Sequence, residues 1–380
     1  MILEVDGLQI HYRTAGGTVR AVDGASFAIP EGRIVGLVGE SGCGKTTAVR
    51  AIMGVLAENG RRAGGRVTFK GKPIDETTTK PLLWRDIAYV PQSAMSSLDP
   101  VYTVGAQIVE VLTRRGRHAR AAARARAAEL FDLVGLSESR LGDYPHQFSG
   151  GMRQRAAIAM ALALEPSLLL ADEPVTALDV IVQRQILDTL RALQQRLKLS
   201  MVLVTHDISV VAYLCDEVVV MYAGQVIESG PVREVLGRPR HPYTMGLRNA
   251  FPDLMSDALE LVPIAGSPPD LADPPPGCRF TPRCPFALAT CSSQPAAIGS
   301  EGGSSGRGGS ERGGGTSESD SSERGTFGSG TSDKGGSDKG AAGRDQAHVS
   351  ACLRDGEADH LRTSALDPVT WQRSSAYATS

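Results

Sequence analysis

Three features of this 380-residue chain point to an α/β architecture. Short runs that are apolar throughout recur along it: RIVGLV at 33–38, SLLLA at 167–171 and SMVLVT at 200–205. The first passes through a Gly-rich turn into a helix starting near Lys45, and the other two are flanked by helical segments at 154–164 and 180–197. Strands apolar at every position, rather than at alternate ones, belong in a parallel sheet covered on both faces.

The remaining segments attach to that core. Leu3–Tyr12, Ala25–Ile29 and Arg66–Lys70 read as antiparallel strands of a β subdomain. Val104–Leu136 is Arg/Ala-rich and helical, which places a helical subdomain at about residues 92–160. Its arginines (Arg114, Arg115, Arg117, Arg120, Arg124 and Arg126) read as a solvated helix face. The first domain spans 1–236. From Gly237 proline becomes dense, marking a small Pro/Cys-rich C-terminal module over 237–298 and 346–380. Between these two parts, residues 299–345 hold 16 Gly and 11 Ser in 47 positions, with no Val, Leu, Ile or Met. Such a stretch cannot bury enough apolar surface to offset its ordering and is expected to be a disordered insertion.

Composition excludes several classes. With 40 basic and 42 acidic residues the formal charge is −2, which argues against a protein that lives on a nucleic-acid backbone. No apolar run reaches the roughly 18 residues of a membrane span. The start, MILEVDGLQIHY, lacks the basic and apolar regions of a signal peptide, so the chain is expected to stay in the cytosol.

Gly39–Thr46 reads GESGCGKT, a full G-x-x-x-x-G-K-[ST] between a strand and a helix. The residues Gly39, Ser41, Gly42, Cys43, Gly44, Lys45, Thr46 and Thr47 are therefore expected to bind nucleotide. The glycines let backbone N–H groups wrap phosphates, and the helix N-terminus adds a favourable dipole. Lys45 reaches the β- and γ-phosphates, and the Thr46 hydroxyl faces Mg²⁺. LLLADE at 168–173 ends an apolar strand in two carboxylates. Asp172 suits a Mg²⁺ partner, and Glu173 is placed to orient or activate water. His206 ends the strand MVLVT and should open on the same site. Gln92, after Tyr89-Val90-Pro91, is a further contact for water or Mg²⁺.

These motifs, in this order, with FSGGMRQR at 148–155 and ALD ending at Asp179, resemble the ATP-binding-cassette (ABC) ATPases over roughly residues 1–230. QSAMSSLDP at 92–100, DEPVTALDV at 172–180, HPYTMGL at 241–247 and PPGCRFTPRCP at 275–285 are similar to the ATPase subunit of dipeptide/oligopeptide importers. The resemblance implies a P-loop NTPase core of the ABC-ATPase type. It implies a head-to-tail dimer, often of two different ATPase chains, with two ATPs at the interface. Ser149, Gly150 and Gly151 would bind the γ-phosphate held by the partner's loop. Glu173 would be the base, His206 would contact the γ-phosphate, Gln92 would couple to the membrane subunit, and Asp179 would lie across the interface. Tyr12 matches the aromatic position that stacks on adenine. Met152 and Phe148 replace the Gln and Leu of the general signature, as is familiar in the peptide-importer branch, and Val175 stands where that branch often has Thr. Two membrane permease subunits and an extracytoplasmic peptide-binding protein complete the implied assembly, with this chain on the cytoplasmic face of the membrane. Nickel or another small solute is the alternative cargo, and a soluble non-transport ABC ATPase the alternative class.

Six cysteines are unevenly placed. Cys43 and Cys215 stand alone and read as small packing residues. The other four follow Cys278-x5-Cys284-x6-Cys291-x60-Cys352, and removing the 47-residue insertion leaves 13 in the last gap. Four soft ligands suit zinc or an iron–sulfur centre, but the spacing matches neither a zinc knuckle nor a plant-type ferredoxin. The residues leave metal and free thiols open; the resemblance implies a [4Fe–4S] cluster.

Overall fold

A computed structural model describes residues 1–250, 263–293, 348–352 and 354–372. The insertion expected at 299–345 lies outside the described residues, as do parts of the C-terminal segment around it.

Strands β1 (Leu3–Thr14), β2 (Gly17–Ile29), β4 (Gly60–Phe69) and β5 (Lys72–Ile74) form an antiparallel sheet in the order β2-β1-β4-β5. All are longer than the apolar runs suggest where both can be compared, because the hairpin ends carry polar and Gly residues that ladder pairing tolerates. The second sheet holds β3 (Ile34–Val38), β6 (Ile87–Val90), β7 (Leu168–Asp172), β8 (Ser200–Thr205), β9 (Glu217–Tyr222), β10 (Gln225–Pro231) and β11 (Val349–Ser350). Its order is β11-β10-β9-β3-β8-β7-β6, with β9 through β6 parallel and β10 and β11 antiparallel additions.

Every residue of β3, β7, β8 and β9 is buried, and alternate residues enter different cores. Val35, Leu37, Leu168, Leu170, Val202 and Val204 pack under the antiparallel sheet with helix α1 (Lys45–Ile52). Leu169, Ala171, Met201, Leu203, Val218 and Val220 face the opposite layer. That layer includes α6 (Val180–Leu197), which spans the residues its pattern predicts, α7 (Ile208–Leu214) and α8 (Val232–Gly237). A short helix α2 (Glu76–Thr79) follows β5, capped by Asp75.

The helical stretch expected at 104–136 is two helices, α3 (Val104–Arg114) and α4 (Arg120–Leu133). Arg117 between them takes a positive φ of 58°, which a continuous helix does not accommodate. They pack with α5 (Gly150–Ala161) through Ile108, Leu112 and Phe131, whose ring meets Phe148 edge-on at 6.4 Å. Arg114, Arg115, Arg117, Arg120 and Arg124 are exposed, and Arg126 pairs with Glu129 and Glu165.

The C-terminal segment folds back onto the parallel sheet. Helix α9 (Pro242–Asn249), the HPYTMGL stretch, buries Tyr243 against Tyr222 of β9 and Phe280, with ring centroids 4.6–5.5 Å apart. Such aromatic pairs contribute about 0.5–1.5 kcal/mol each beyond the area they bury. Helices α10 (Ala289–Ser293), α11 (Ala358–Ala365) and α12 (Pro368–Gln372) complete it, with Trp371 seated over Gly246. At the sheet edge, β11 pairs with β10 (Glu228 opposite Ser350, Ser229 opposite Val349).

Glu228 locks that edge. Fully buried, it accepts hydrogen bonds from the N–H groups of Arg240 (2.7 Å) and His241 (2.9 Å) and lies 2.7 Å from Nε2 of His348. Replacing it with Ala strands two buried N–H donors and an imidazole, and is expected to cost about 3–5 kcal/mol in urea unfolding. Glu228→Gln, which keeps one acceptor oxygen, should lose less than half of that. An alanine variant as stable as the parent would disprove the role.

Candidate functional site

The strand register aligns the C-terminal ends of four parallel strands: Val38 lies opposite Thr205, Asp172 opposite Val204, and Val90 opposite Ala171. Segments leaving this edge are therefore neighbours, the place where open α/β sheets bind ligands.

The loop after β3 is held by backbone contact. Gly39 has φ 155° and Gly44 φ 104°. A Cβ at Gly39 would stand 2.1 Å from the carbonyl O of Met221, and one at Gly44 would stand 2.3 Å from that of Ala21. The loop is thus seated between β9 and β2, and only glycine fits at either contact. Ser41 and Gly42 are exposed at its crest, and Thr47 is half-buried in the first turn of α1. Lys45 is only 5% exposed. Its ammonium donates to the carbonyls of Gly39 (2.7 Å) and Glu40 (2.9 Å), and lies 3.6 Å from Sγ of buried Cys43. Two strong acceptors fix the ammonium; the third, sulfur, is weak and easily displaced by a phosphate oxygen.

The two carboxylates at the end of β7 diverge. Asp172 is buried and turns toward α1, accepting from Thr46 Oγ1 (3.1 Å) and Tyr89 Oη (3.2 Å). Burial raises its pKa, against the lowering effect of those two bonds. Burial and the Asp172 charge push the Tyr89 phenol up to about 12. Glu173 takes a positive φ of 47°, which turns it away from its neighbour. It meets His206 Nδ1 at 3.0 Å, Gln92 Nε2 at 2.8 Å and Thr176 Oγ1 at 3.1 Å. Burial would raise its pKa, but these partners outweigh it and hold the carboxyl below its ordinary value. Glu173 is consequently ionised at neutral pH. Thr46 and Asp172 present hard oxygen donors side by side, a set that suits Mg²⁺.

Other expected residues lie apart. Ser149 caps α5 by accepting from Met152 N–H (3.3 Å), and Asp179 caps α6 by accepting from Val182 N–H (2.9 Å). Gly151 joins the two helix starts, since a Cβ there would stand 2.4 Å from Cγ1 of Val182. Gly150 begins α5 beside them. The side-chain bonds of Ser149 and Asp179 thus go to their own helices, not to the loop. Tyr12 is half-buried on β1, its ring over Gly60 of β4. Tyr89, Thr176 and Glu40 were not singled out from sequence. The first is visible only as one strand residue in Tyr89-Val90-Pro91, and the others carry no spacing signal.

Cys43 and Cys215 are buried in the two cores, Cys215 against Gly36 of β3. Cys278, Cys284, Cys291 and Cys352 do converge, lining one small cavity with His241 and Thr281. A turn links the first three, with Cys278 N–H donating to the Cys291 carbonyl (2.9 Å), and β11 delivers Cys352. Burial raises the pKa of Cys278, Cys284 and Cys352, the last to about 12, and the neighbouring thiols add to it. Among the described residues, however, no three His, Cys, Asp or Glu side chains are grouped so as to hold a metal ion. The expected [4Fe–4S] centre therefore has suitable donors but no assembled ligand set here.

Residues 22–176 match the ABC transporter family model, and 227–291 match the C-terminal region of oligopeptide/dipeptide transporters. The dipeptide transport ATP-binding protein of Bacillus subtilis is 45% identical over 76% of this chain and 88% of its own. The oligopeptide transport ATP-binding protein of Salmonella typhimurium is 44% identical over 78% and 89%. Among solved structures, a dimeric post-hydrolysis ATP-binding cassette bound to ADP and Pi superposes with TM-score 0.55 at 28% identity, covering 61% of this chain and 99% of that one. CbiO1 of Clostridium perfringens, part of an ABC transporter complex, gives 0.54 at 29%, covering 62% and 90%. Among the described residues no helix is long and apolar enough to cross a membrane. The strand-edge site, the two matched regions and these relatives agree: the chain belongs to the ATP-binding proteins of the ABC transporter family that carry the oligopeptide/dipeptide transporter C-terminal region.

Proposed function

We propose that this chain hydrolyses Mg·ATP at the Gly39–Thr47 loop and that the cycle powers import of dipeptides or oligopeptides through separate permease subunits. The observation that carries the chemistry is Glu173, held at the strand edge by Gln92, Thr176 and His206. The peptide cargo is supported by the names of the relatives. The chain works as half of a head-to-tail ATPase dimer, with a second and different ATPase chain as the expected partner. It sits peripherally on the cytoplasmic face of the membrane. An ATPase domain over 1–236 and the C-terminal module over 237–298 and 346–380 share the work.

Each residue has a derivable task. Lys45 presents its ammonium to the β- and γ-phosphate oxygens. Thr46 Oγ1 and Asp172 would hold Mg²⁺, with Gln92 reaching it from the turn after β6. The ion, when bound, neutralises charge on the phosphate oxygens as the terminal P–O bond breaks. Glu173 takes the proton of the attacking water. The Nδ1 contact to Glu173 leaves the exposed Nε2 of His206 for the γ-phosphate. Ser149, Gly150 and Gly151 offer a helix start to the partner's γ-phosphate, Asp179 faces the same interface, and Tyr12 stacks on adenine. A [4Fe–4S] cluster, or zinc, on Cys278, Cys284, Cys291 and Cys352 is the finer cofactor reading. Its support is the convergence of four thiols on one cavity, and it enters no step of hydrolysis.

Glu173→Gln keeps the shape and one acceptor but removes the base. Turnover should fall by about 100-fold or more with ATP still bound. A variant hydrolysing at the parent rate would refute the assignment. In cells relying on this chain, the same substitution should abolish uptake of labelled di- and oligopeptides. Intact peptide uptake with loss of nickel or sugar uptake would transfer the cargo to those solutes. An anaerobic preparation is expected to contain iron and acid-labile sulfide; the absence of both would remove the [4Fe–4S] reading.

A further inference from the structure

Glu40, the second residue of the phosphate loop, is held at three points. Its N–H donates to Tyr243 Oη (2.9 Å), its carboxylate accepts from Arg283 Nη1 (2.9 Å), and its carbonyl accepts from Lys45 Nζ (2.9 Å). Tyr243 and Arg283 lie 203 and 243 residues further along the chain, the first on α9 and the second immediately before Cys284. Both are sequestered: Tyr243 is fully buried and the Arg283 side chain is 7% exposed.

Arg283 is itself fixed before it reaches the loop. Its Nε donates to the Ala265 carbonyl (2.9 Å), Nη2 to that of Ile264 (3.4 Å), and Nη1 also meets Tyr222 Oη (3.2 Å). A guanidinium set by carbonyls and an aromatic wall loses little further freedom in binding a carboxylate. Tyr243 is likewise wedged against Tyr222 and Phe280. The C-terminal segment therefore presents both groups to Glu40 already fixed. Because the Glu40 carbonyl is one of the two that aim the Lys45 ammonium, a shift of Glu40 moves that ammonium.

We propose that Arg283 and Tyr243 are positioning residues for the ATPase reaction, fixing Glu40 and through it Lys45, so that the C-terminal segment sets the affinity of the loop for the phosphates of ATP. This rests on the reading of the loop as an ATP site. A mere structural clip between two parts of the chain would change stability and leave nucleotide affinity alone.

The test measures ATP dissociation constants and steady-state KM and kcat for the full-length chain. The variants are Arg283→Ala, Arg283→Lys, Tyr243→Phe, Glu40→Gln and Arg283→Ala combined with Glu40→Gln. The Glu40 side chain is 25% exposed, so water can replace the guanidinium, and Tyr243→Phe removes only a hydroxyl. Arg283→Ala should raise both Kd and KM for ATP by about fivefold or more, with Arg283→Lys recovering most of the loss. Tyr243→Phe should raise them by about two- to fivefold. The double variant should be no weaker than the Arg283 single, since both act through one contact. Folded Arg283→Ala and Tyr243→Phe proteins that bind ATP like the parent would overturn the proposal. So would additive losses in the double variant. A parent chain that binds no ATP would instead overturn the reading on which the proposal rests.

Discussion

A parallel sheet buried on both faces imposes the order seen everywhere else in this molecule. Its strands have no solvated face, so each of β3, β7, β8 and β9 is apolar between its ends, and polar side chains are confined to the strand ends. Parallel pairing also sends all those ends to the same edge. Lys45, Thr46, Gln92, Asp172, Glu173 and His206, separated by up to 161 positions in sequence, meet there because register leaves them nowhere else to go. At that edge Gly39, Gly44 and Glu173 are all at positive φ, which costs energy only at the last. The hydrophobic layers on either side hold these residues in place.

The two carboxylates show how little separates different roles. Asp172 and Glu173 are adjacent, yet burial raises the pKa of the first, while three hydrogen-bonding partners lower that of the second. Strand alternation and one left-handed residue send them into different surroundings. The first turns to Thr46 and Tyr89, the second to Gln92, Thr176 and His206.

The apolar runs at 33–38, 167–171 and 200–205 announced the central strands, and α6 began and ended where its pattern said, because burial on both faces leaves a strong hydrophobic signature. The G-x-x-x-x-G-K-T spacing announced the loop, since only glycine tolerates the carbonyls of Met221 and Ala21 at such range. The break between α3 and α4 was only weakly marked: Gly116 lies in it, but the positive φ falls on the neighbouring Arg117. The hairpin ends of the antiparallel sheet were hidden for the opposite reason, being polar and solvated. Least legible were the contacts of Glu40 with Tyr243 and Arg283. A contact over more than 200 positions leaves no periodicity, and a Glu inside a variable loop position looks like any solvated carboxylate. The convergence of the four cysteines could be read from spacing only after subtracting 47 residues.

The edge strand β11 has one more consequence. Cys291 is tied to Cys278 by a backbone hydrogen bond, and Val349 is paired in the sheet, so both ends of the intervening span are fixed by the folded body. The entropic cost of joining two such fixed points grows only with the logarithm of the number of residues between them. An affinity handle or a small domain inserted between these two anchors would therefore add little closure entropy.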